Sequence, residues 1–530
     1  MNKKYKVVIV GGGTAGWFAA SWIAKNHNCH VTLIESKDIK KIGVGESVTP
    51  HIQRFFDLLG MDRTDWMQKT GAIYKFANKF DNWVHKKGET EYFGFTYAAN
   101  TKAFDQENYT LETLFKQDDQ LRTTDVFLKL YQEGKFDKFD QYFNDAHYYM
   151  ENCVSPFHND QYLLNPFYSW SQHMNAELAT DYIRDNVALP NGVEHIIAEV
   201  VDITAEGETV KSVTLTDGTK ITADIFVDST GFAGVLVNKM GFERIKYDKC
   251  LIDSAYVCQI DYENPETEMV NYTQSHAMDF GWRFKADVYH RMGTGYCFSS
   301  QHISNEQALE EFSKHIPKNR FDPKLLKWTP SRLVNAAKGN LFSIGLSSGF
   351  VEPLEASSLF IITANVMHMG NVLKKYEDQG ILDLDAYNSQ IGYLIDDIAD
   401  FIRVHYTLSS RTDTEFWRDC QTLVNREFEI ELVKNKYFSN SGRWIKGAEY
   451  KTIYTDYVWL QLAMSWGVNV SDWQVSVDPT LLEKGRNYFQ SRHDRNLVLA
   501  KTCKNNYNWL KENIFKLEPA AWEAEFLLKK

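Results

Sequence analysis

Three glycines near the start of the chain have the spacing of a nucleotide-binding turn. Gly11, Gly13 and Gly16 form the pattern G-x-G-x-x-G directly after the apolar run Val7–Val10. The first glycine of this pattern makes a tight turn, the second lets a pyrophosphate approach the backbone, and the third allows close helix packing. A helix that begins near Thr14 would direct free N–H groups and its positive dipole end at the phosphates. We expect the nucleotide to contact Gly11, Gly13, Thr14, Ala15 and Gly16.

An acidic residue follows at the distance that this chemistry requires. The run Val31–Ile34 has the composition of a second buried strand, and Glu35 ends it. An acid about twenty residues after the glycines binds the ribose hydroxyls of a dinucleotide. The alternative, an ordinary βαβ turn, explains the glycines but not the acid at the strand end.

Acidic and hydroxyl side chains also stand next to a long apolar helix that we predict from Leu359 to about Lys374. Glu352 and Glu355 precede this helix, and Ser357 and Ser358 stand at its start. Small residues between a strand and a helix can bind an anion or the edge of a cofactor. A helix N-cap explains either serine equally well. It does not explain the two carboxylates.

Two lysines share one face of a predicted strand. The segment Gly71–Trp83 alternates between apolar and polar residues, which places Lys75 and Lys79 on the same side. From composition alone, a solvated face is favoured over catalysis. Further on, Phe93 and Phe95 have the flat rings that line aromatic substrate pockets, although such rings more often belong to the core.

These residues must be positioned by an alternation of strands and helices. The pattern predicts a helix over Ser171–Asp185, a strand over Val193–Ile197, and a strand over Ile225–Asp228 that ends in a glycine turn. It also predicts the following: a hairpin of Val210–Leu215 and Lys220–Ile225 that turns at Asp217-Gly218, strand-like structure over Gly281–Ser300 with a turn at Met292–Tyr296, a buried strand over Asn340–Ile344, and mostly helices over 380–530.

Composition limits the class of protein. With 530 residues, 44% of them hydrophobic, the chain can bury a large core in two or three regions. A net charge of -12 argues against a nucleic-acid surface, and no basic run indicates a membrane patch. The seven cysteines are scattered without any C-x-x-C, which favours reduced cytoplasmic thiols over a metal site. The first strand begins too early for a signal peptide, and no uninterrupted apolar stretch is long enough to span a bilayer. We expect a cytoplasmic protein with small-molecule partners, and a homo-oligomer is compatible with the sequence.

Longer motifs extend from the N-terminus to about residue 420. They are Gly-Gly-Gly-Thr-Ala-Gly-Trp at 11–17, Gly-Val-Gly-Glu at 43–46, Tyr74-Lys75 with Phe80 and Trp83, Val-Asp-Ser-Thr-Gly-Phe at 227–232, Phe-Val-Glu-Pro-Leu-Glu at 350–355, and Ser-Arg-Thr-Asp-Thr at 410–414 with Phe416-Trp417. In these blocks the chain resembles the flavin-dependent halogenases of the tryptophan-halogenase family. The first and fifth blocks are much more specific than a dinucleotide motif.

The resemblance implies an α/β fold. It consists of a GR2-type FAD-binding module, similar to p-hydroxybenzoate hydroxylase, and a mostly helical substrate-binding region. The implied FAD module is discontinuous and comprises residues 1–80, 160–240 and 330–400. Residues 81–159 and 241–329 are then inserted substrate-side and sheet segments, and 401–530 form a helical cap over the substrate.

The resemblance also implies a reaction. In the family, FADH2 reacts with O2 to give a C4a-hydroperoxide, and halide attacks it to form hypohalous acid. The oxidant passes to a lysine that presents electrophilic halogen to an aromatic carbon, assisted by a glutamate. The matching positions here are Lys75 and Glu355 for catalysis, Ser357 and Ser358 for halide, Gly45 and Glu46 for the strap over the flavin, and Val200 for the adenine. Gly345, at the end of the predicted strand over Asn340–Ile344, is a further expected cofactor contact. No reductase domain is visible, so we expect a separate flavin reductase.

Departures from the family pattern leave the chemistry open. The family motif W-x-W-x-I-P, which keeps the site from acting as a monooxygenase, is here Trp282–Asp287 and lacks its Ile-Pro. Ala-Ser-Ser follows Glu355 where tryptophan halogenases have Ser-Thr-Gly, which favours heavier halides. The C-terminal segment lacks the part that grips tryptophan. We therefore expect bromide, iodide or chloride to be installed on an electron-rich indole or phenol. The alternatives are an FAD-dependent aromatic monooxygenase and a non-enzymatic flavin-binding sensor.

Overall fold

The structure, a computed structural model, describes residues 5–37, 46–84, 93–96, 123–136, 139–144, 146–158, 161–162, 171–317, 322–439 and 452–527. The chain divides into two compact units. Unit 1 comprises Met1–Ala72, Met174–Asp253 and Leu326–Asp400, and unit 2 comprises Ile73–His173, Ser254–Leu325 and Phe401–Lys530.

The strands of both units are numbered in chain order. The first twelve are β1 Tyr5–Val10, β2 Cys29–Glu35, β3 Glu46–Ser47, β4 Ile73–Lys75, β5 Ala77–Asp81, β6 Phe93–Thr96, β7 Phe157–His158, β8 Gln161–Tyr162, β9 Ser171–Met174, β10 Glu194–Ile197, β11 Val200–Glu206 and β12 Thr209–Leu215. The others are β13 Lys220–Thr222, β14 Ile225–Asp228, β15 Arg244–Lys246, β16 Ser254–Asp261, β17 Tyr272–Ala277, β18 Gly281–Asp287, β19 Arg291–Phe298, β20 Lys324–Lys327, β21 Ser331–Leu333, β22 Ala337–Lys338, β23 Leu341–Ser343 and β24 Gly349–Phe350.

The helices are named by their bounds. The α-helices are Thr14–Asn26, Pro50–Leu58, Arg63–Thr70, Thr123–Gln132, Phe139–Phe143, His147–Glu151, Ala176–Ile183, Val235–Lys239, Pro265–Glu268, Asn305–Ser313, Ser357–Gln379, Leu384–Thr407, Glu415–Thr422, Arg426–Ser439, Asp456–Ser465, Pro479–Thr502, Asn506–Leu510 and Pro519–Phe526. Shorter 3-10 or π turns are Arg184–Ala188, Leu189–Asn191, Gly231–Ala233, Gly345–Ser347, Leu354–Ala356 and Lys511–Phe515.

Unit 1 is built on a six-stranded sheet in the order β10-β2-β1-β14-β23-β22. β1 lies between β2 and β14 and is parallel to both, with Val7 opposite Val31 and Ile225. The side chains of these three residues are fully buried, as expected for parallel strands covered on both faces. The helices Thr14–Asn26 and Ser357–Gln379 pack against each other. This arrangement directs the carboxyl ends of β1, β2 and β14 toward the glycine turn.

Unit 2 contains a seven-stranded sheet in the order β20-β16-β19-β18-β17-β5-β6. Its strands β16 to β19 pair antiparallel in the order given, whereas β17 is parallel to β5. The C-terminal part of the unit is helical, and its Trp417, Trp459 and Trp466 are buried. The indole N–H of Trp417 donates to the carbonyl of Met278 at 2.9 Å. These tryptophans therefore pack the core.

Several predicted elements are confirmed. The hairpin of β12 and β13 turns at Asp217-Gly218, where Gly218 has a φ of 86°. The strand-end acid Glu35 lies at the end of β2. The predicted apolar helix extends over Ser357–Gln379.

Three predictions of local structure are wrong. Ser171–Met174 forms strand β9, and the following helix begins only at Ala176, because the Asn175 side chain accepts from two backbone N–H groups and caps it. The segment Met292–Tyr296 is not a turn but part of β19, and the chain turns between Asp287 and Arg291 instead. The predicted strand over Gly71–Trp83 is two strands, β4 and β5, because the Phe76 N–H donates to the carbonyl of Asn271 at 2.7 Å.

One helical stretch passes a test of length and hydropathy for crossing a membrane. In Leu354–Gln379 the most apolar window has a mean hydropathy of 1.2, and 67% of that window is buried inside the protein. The stretch passes by length and composition only, because Ser, Thr, Asn and His side chains interrupt its apolar residues. A mostly buried helix of this kind is typical of a protein core.

Candidate cofactor and catalytic site

The glycine turn after β1 is closely packed against the loop that follows β14. Gly11 has a φ of 115°, and a Cβ placed on it would lie 2.4 Å from the carbonyl oxygen of Ser229. A Cβ on Gly16 would lie 1.9 Å from the carbonyl oxygen of Gly11. Both positions therefore require glycine. Gly13, by contrast, has no atom within 4 Å of such a Cβ, so its surroundings leave room for a bound group.

The helix that follows the turn has an open N-terminus. Gly13 is the N-cap of Thr14–Asn26, no side chain caps the helix, and its first turn carries no acidic residue. The Thr14 hydroxyl lies 3.0 Å from the hydroxyl of Thr180. Uncapped amides and the positive end of the helix dipole together form an anion site. The arrangement thus fits the pyrophosphate of a dinucleotide.

The carboxylate of Glu35 is held against the glycine turn. A Cβ on Gly12 would lie 1.6 Å from Glu35 Oε2. Glu35 Oε1 lies 2.7 Å from Nε2 of His195, and the His195 ring meets the ring of Trp17 edge-on at 4.9 Å. In the parallel pair of β10 and β2, His195 is opposite Leu33, so it shares a sheet face with Glu35. The sequence analysis did not identify His195, because its position depends on this pairing.

Two further predicted cofactor residues lie in different surroundings. Gly345 has a φ of 66°, and a Cβ on it would lie 2.8 Å from the Cβ of Ala15, so Gly345 directly contacts the helix after the glycine turn. Val200 belongs to the apolar core with Val210 and Val213. Its side chain is therefore occupied in packing.

Of Gly45 and Glu46, the two residues predicted for the strap over the flavin, Glu46 belongs to the described part of the chain. Removal from water raises the pKa of the Glu46 carboxyl to about 7, so this side chain can lose or gain a proton near neutral pH. Gly45 lies outside the described residues. The strand β6 contains Phe93 and Phe95, and the side chains of both lie outside the described part of the chain.

The turn between β23 and the helix Ser357–Gln379 is fixed by hydroxyl groups. Ser347 Oγ donates to the carbonyl of Asp228 at 2.8 Å, and Ser348 Oγ donates to the carbonyl of Gly345 at 2.7 Å. The N–H of Gly345 donates to Asn365 Oδ1 at 3.0 Å. These bonds hold the carboxyl end of β23 in place beside β14.

The backbone at Glu355 is strained. Glu355 and Ala356 have φ values of 62° and 57°, in the left-handed region. Each such residue costs on the order of 1–3 kcal/mol, and this kind of strain is concentrated at functional sites. The helix then begins at Ser357 without a side-chain cap, with Ala356 as its N-cap residue, so neither serine is the N-cap. Ser357 Oγ donates instead to the carbonyl of Glu352 at 3.2 Å.

In unit 2, the Lys75 side chain is completely buried. Its relative exposure is 0%, and Lys75 is opposite Ser171 in the antiparallel pair of β4 and β9. The predicted solvated lysine face is therefore wrong for Lys75. Lys79 is partly exposed, and its amine lies 3.9 Å from Asp81 Oδ1. The two lysines differ because β4 and β5 pair with different strands.

A second buried titratable side chain, His173, lies close to Lys75. His173 Nε2 lies 2.8 Å from the hydroxyl of Thr273. Burial, followed by the charge of Lys75, holds the pKa of His173 well below its usual value. The imidazole is therefore neutral at physiological pH. The sequence analysis missed His173 because it assigned Ser171–Met174 to a helix.

The motif that departs from the family pattern lies on β18. Trp282 is buried, and the carboxylate of Asp287 is fully buried at the end of the strand. Asp287 Oδ2 accepts from the Val270 N–H at 2.8 Å and lies 3.1 Å from the Lys285 amine. Within the part of the chain that the structure describes, no three His, Cys, Asp or Glu side chains converge as metal ligands.

Comparisons with known proteins identify the family and the fold that this chain resembles. Residues 6–479 match the family described as tryptophan halogenase. The chain is 32% identical to tryptophan 7-halogenase RebH of Lentzea aerocolonigenes over 80% of this chain and 79% of RebH. It is 30% identical to tryptophan 6-halogenase ThaL of Streptomyces albogriseolus over 82% of this chain and 81% of ThaL. The solved structure of the tryptophan 6-halogenase SttH of Streptomyces toxytricini is similar with a TM-score of 0.80 at 26% identity, covering 96% of this chain and 99% of SttH. These findings confirm the fold class and the resemblance.

Proposed function

Because this chain belongs to the tryptophan halogenase family, we propose that it installs bromide, iodide or chloride on an electron-rich aromatic compound such as an indole or a phenol. Members of the family are oxidoreductases that use FADH2, O2 and halide, act on small aromatic substrates, and rely on a separate flavin reductase. The burial of the Lys75 side chain, which is 0% exposed, carries the proposal. A reactive halogen must be kept from water and from other nucleophiles until the substrate receives it.

Unit 1 has the groups that FAD requires. The amides of the Gly11–Gly16 turn would hold the pyrophosphate, and Glu35 would bind the ribose hydroxyls. When bound, reduced FAD together with O2 supplies the oxidising equivalents that convert halide into electrophilic halogen. The remaining proposed cofactor contacts are those of Gly45, Glu46, Val200 and Gly345.

The halide position that we propose is the start of the helix Ser357–Gln379. The first-turn amides of this helix include those of Ser357 and Ser358, and no side chain caps them. Uncapped N–H groups at a helix N-terminus favour a small anion. Such an anion would stand directly after the strained pair Glu355-Ala356.

Lys75 and Glu355 have complementary roles in the proposal. The amine of Lys75 either donates an N–H that polarises hypohalous acid or accepts the halogen on nitrogen, and presents it to the aromatic carbon. The carboxylate of Glu355 accepts the proton that the ring loses after halogen addition. Both roles require that bulk water be excluded, which the burial of Lys75 supports.

We propose that unit 2 supplies the residues that bind the aromatic substrate. We assign the FAD module to residues 1–80, 160–240 and 330–400, the inserted segments to 81–159 and 241–329, and the substrate cap to 401–530. Phe93 and Phe95 would provide flat walls for the aromatic ring. We do not expect free tryptophan to be the substrate, and we place the enzyme in the cytoplasm.

Replacement of the proposed halogen-presenting lysine tests the assignment. Lys75→Met should reduce halogenated product at least about 100-fold, because the oxidant is then no longer oriented toward the ring. The affinity for FAD should stay within about twofold of that of the parent. The matched control is Lys79→Met on the neighbouring strand, which should retain most of the activity. Product is measured by mass spectrometry over a library of indoles and phenols with each halide, and unchanged yield in Lys75→Met would reject the proposal.

The proton acceptor is tested separately. Glu355→Gln keeps the size of the side chain but cannot accept a proton. We expect kcat to fall about 10²–10⁴-fold with little change in FAD affinity. A kcat close to that of the parent would assign proton acceptance to another group.

An aromatic monooxygenase is the second candidate, because the altered motif on β18 has Ala286-Asp287 in place of the Ile-Pro of the family. Halide dependence separates the two reactions. Hydroxylated product that forms in the absence of any halide would identify the monooxygenase. Lack of O2 consumption with reduced FAD would instead support the flavin-binding sensor.

A further inference from the structure

A buried ion pair on β18 lies next to the residues that position Lys75. Asp287 is 0% exposed, the Lys285 side chain is 13% exposed, and the two charged groups are 3.1 Å apart. The Lys285 amine also donates to the carbonyl of Glu268 at 2.5 Å. Removing two charges from water costs several kcal/mol per ion, and a pair of apolar side chains is often as stable. Stability alone therefore does not explain this pair.

The pair is connected to Lys75 through the backbone that precedes β17. Asp287 Oδ2 accepts from the Val270 N–H at 2.8 Å. The next residue, Asn271, accepts from the N–H of Phe76 at 2.7 Å. Phe76 directly follows Lys75. By binding the Val270 N–H, Asp287 thus holds in place the segment whose Asn271 carbonyl accepts from Phe76 at the end of β4.

The pair is also connected to Lys75 through His173. In the β4–β9 pair, His173 is opposite Ile73, and it therefore lies on the same face as Lys75. Thr273 of β17 holds the ring at 2.8 Å. Burial is the main cause that lowers the pKa of His173; the charge of Lys75 lowers it further, a backbone contact with Asp287 raises it, and the charge of Lys285 lowers it. The imidazole of His173 therefore responds to Lys75 and to both members of the pair.

We propose that Asp287 and Lys285 are positioning residues for the Lys75 amine. The Asp287 carboxylate balances the charge of Lys285, so that Lys285 does not add an uncompensated cation beside His173 and Lys75, and it fixes the backbone that places Lys75. This inference rests on the proposed role of Lys75 in halogen transfer. The other titratable groups that interact with the pair are Tyr262, Cys153 and Tyr272, and the charges of Arg291 and Glu268 act on Tyr262 in turn.

A double-mutant cycle with flavin-loaded enzyme tests the charge balance. Asp287→Asn keeps the shape but leaves the Lys285 cation unpaired, and Lys285→Met/Asp287→Asn removes both charges. For Asp287→Asn we expect kcat for halogenation to fall about 10-fold or more, while FAD affinity and KM change by less than about threefold. The double variant should recover most of that loss, because the net charge beside Lys75 is restored.

The pH profile of kcat distinguishes positioning from a merely structural role. A nearby unpaired cation lowers the pKa of neighbouring basic groups. If Lys75 or His173 determines one limb of the profile of kcat against pH, Asp287→Asn should therefore shift that limb to lower pH. The double variant should move it back. A charge-independent loss of packing would not produce this reversal, and the melting temperature of each variant reports such a loss directly.

Defined outcomes overturn the inference. Lys79→Met, which removes a partly buried lysine 3.9 Å from Asp81 on β5, is the matched control. If Asp287→Asn has the same kcat and pH profile as this control, or if the double variant is as slow as Asp287→Asn, the inference is wrong. If Asp287→Asn does not fold, Lys285→Met is compared with Lys79→Met, and identical profiles overturn it. Retained halogenation in Lys75→Met would reject the proposed function itself.

Discussion

The contact between His195 and Glu35 predicts how tightly the protein binds FAD. His195 Nε2 lies 2.7 Å from Glu35 Oε1, and the side chains are 22% and 15% exposed. His195→Phe retains a ring that can pack edge-on against Trp17 but removes the nitrogen that holds the carboxylate. Glu35 must then be ordered when the cofactor binds, and this ordering weakens affinity.

The magnitude follows from the type of contact. His195 Nε2 and Glu35 Oε1 are at ion-pair distance but do not have hydrogen-bond geometry. Solvent-accessible pairs contribute about 0.2–1 kcal/mol, and this one, with both side chains mostly covered, belongs to the upper half of that range. Since each 1.4 kcal/mol is a tenfold change in the dissociation constant, we expect FAD to bind His195→Phe about 2- to 5-fold more weakly.

The assay is titration of the apo-protein with oxidised FAD, followed by flavin fluorescence or by calorimetry. The matched control is His30→Phe, since His30 Nε2 is 3.0 Å from Glu194 Oε2 on the same sheet but the two side chains are 41% and 53% exposed. We expect less than about a twofold change there. Glu35→Gln should weaken binding, and adding His195→Phe to it should have little further effect. Unchanged affinity in His195→Phe, or additive losses in the double variant, would refute the reasoning.

Two further predictions concern the glycine turn and acid stability. Gly11→Ala should lower the melting temperature, because its Cβ would lie 2.4 Å from the Ser229 carbonyl oxygen. Gly13→Ala, whose Cβ would have no atom within 4 Å, should leave the melting temperature unchanged and weaken only FAD binding. Equal melting temperatures of the two variants would contradict this prediction. His290 stacks on Trp522 at 4.7 Å, and burial lowers its pKa to about 3, so its protonation favours the unfolded state once the pH falls below about 6.5 and increasingly so down to about 3. At pH 5 this effect lowers the free energy of unfolding of the parent by about 2 kcal/mol. Urea unfolding at pH 7 and at pH 5 should therefore show a decrease in the free energy of unfolding that is about 2 kcal/mol smaller for His290→Phe than for the parent.

The sequence predicted the strands and the helix around the proposed nucleotide-binding turn because their signals are local. A strand, a glycine turn, a helix start and a strand-end acid follow one another within Val7–Glu35, and β1 and β2 have this form. The partner of Glu35 could not be found in the same way. His195 reaches it only because β10 pairs parallel with β2, and no local pattern encodes that pairing.

Lys75 and Lys79 show why the substrate side was harder to predict. Alternation places both residues on one side of a strand, but it does not say which neighbouring strand covers that side. Because the strand breaks at Phe76, Lys75 lies in β4, which pairs with β9. Lys79 lies in β5, which pairs with β17 and β6. One amine becomes fully buried while the other keeps contact with water. Of two lysines in the same sequence pattern, only Lys75 is thus buried and becomes a candidate for chemistry, because β9 covers it. The sequence pattern of β9 itself had predicted a helix.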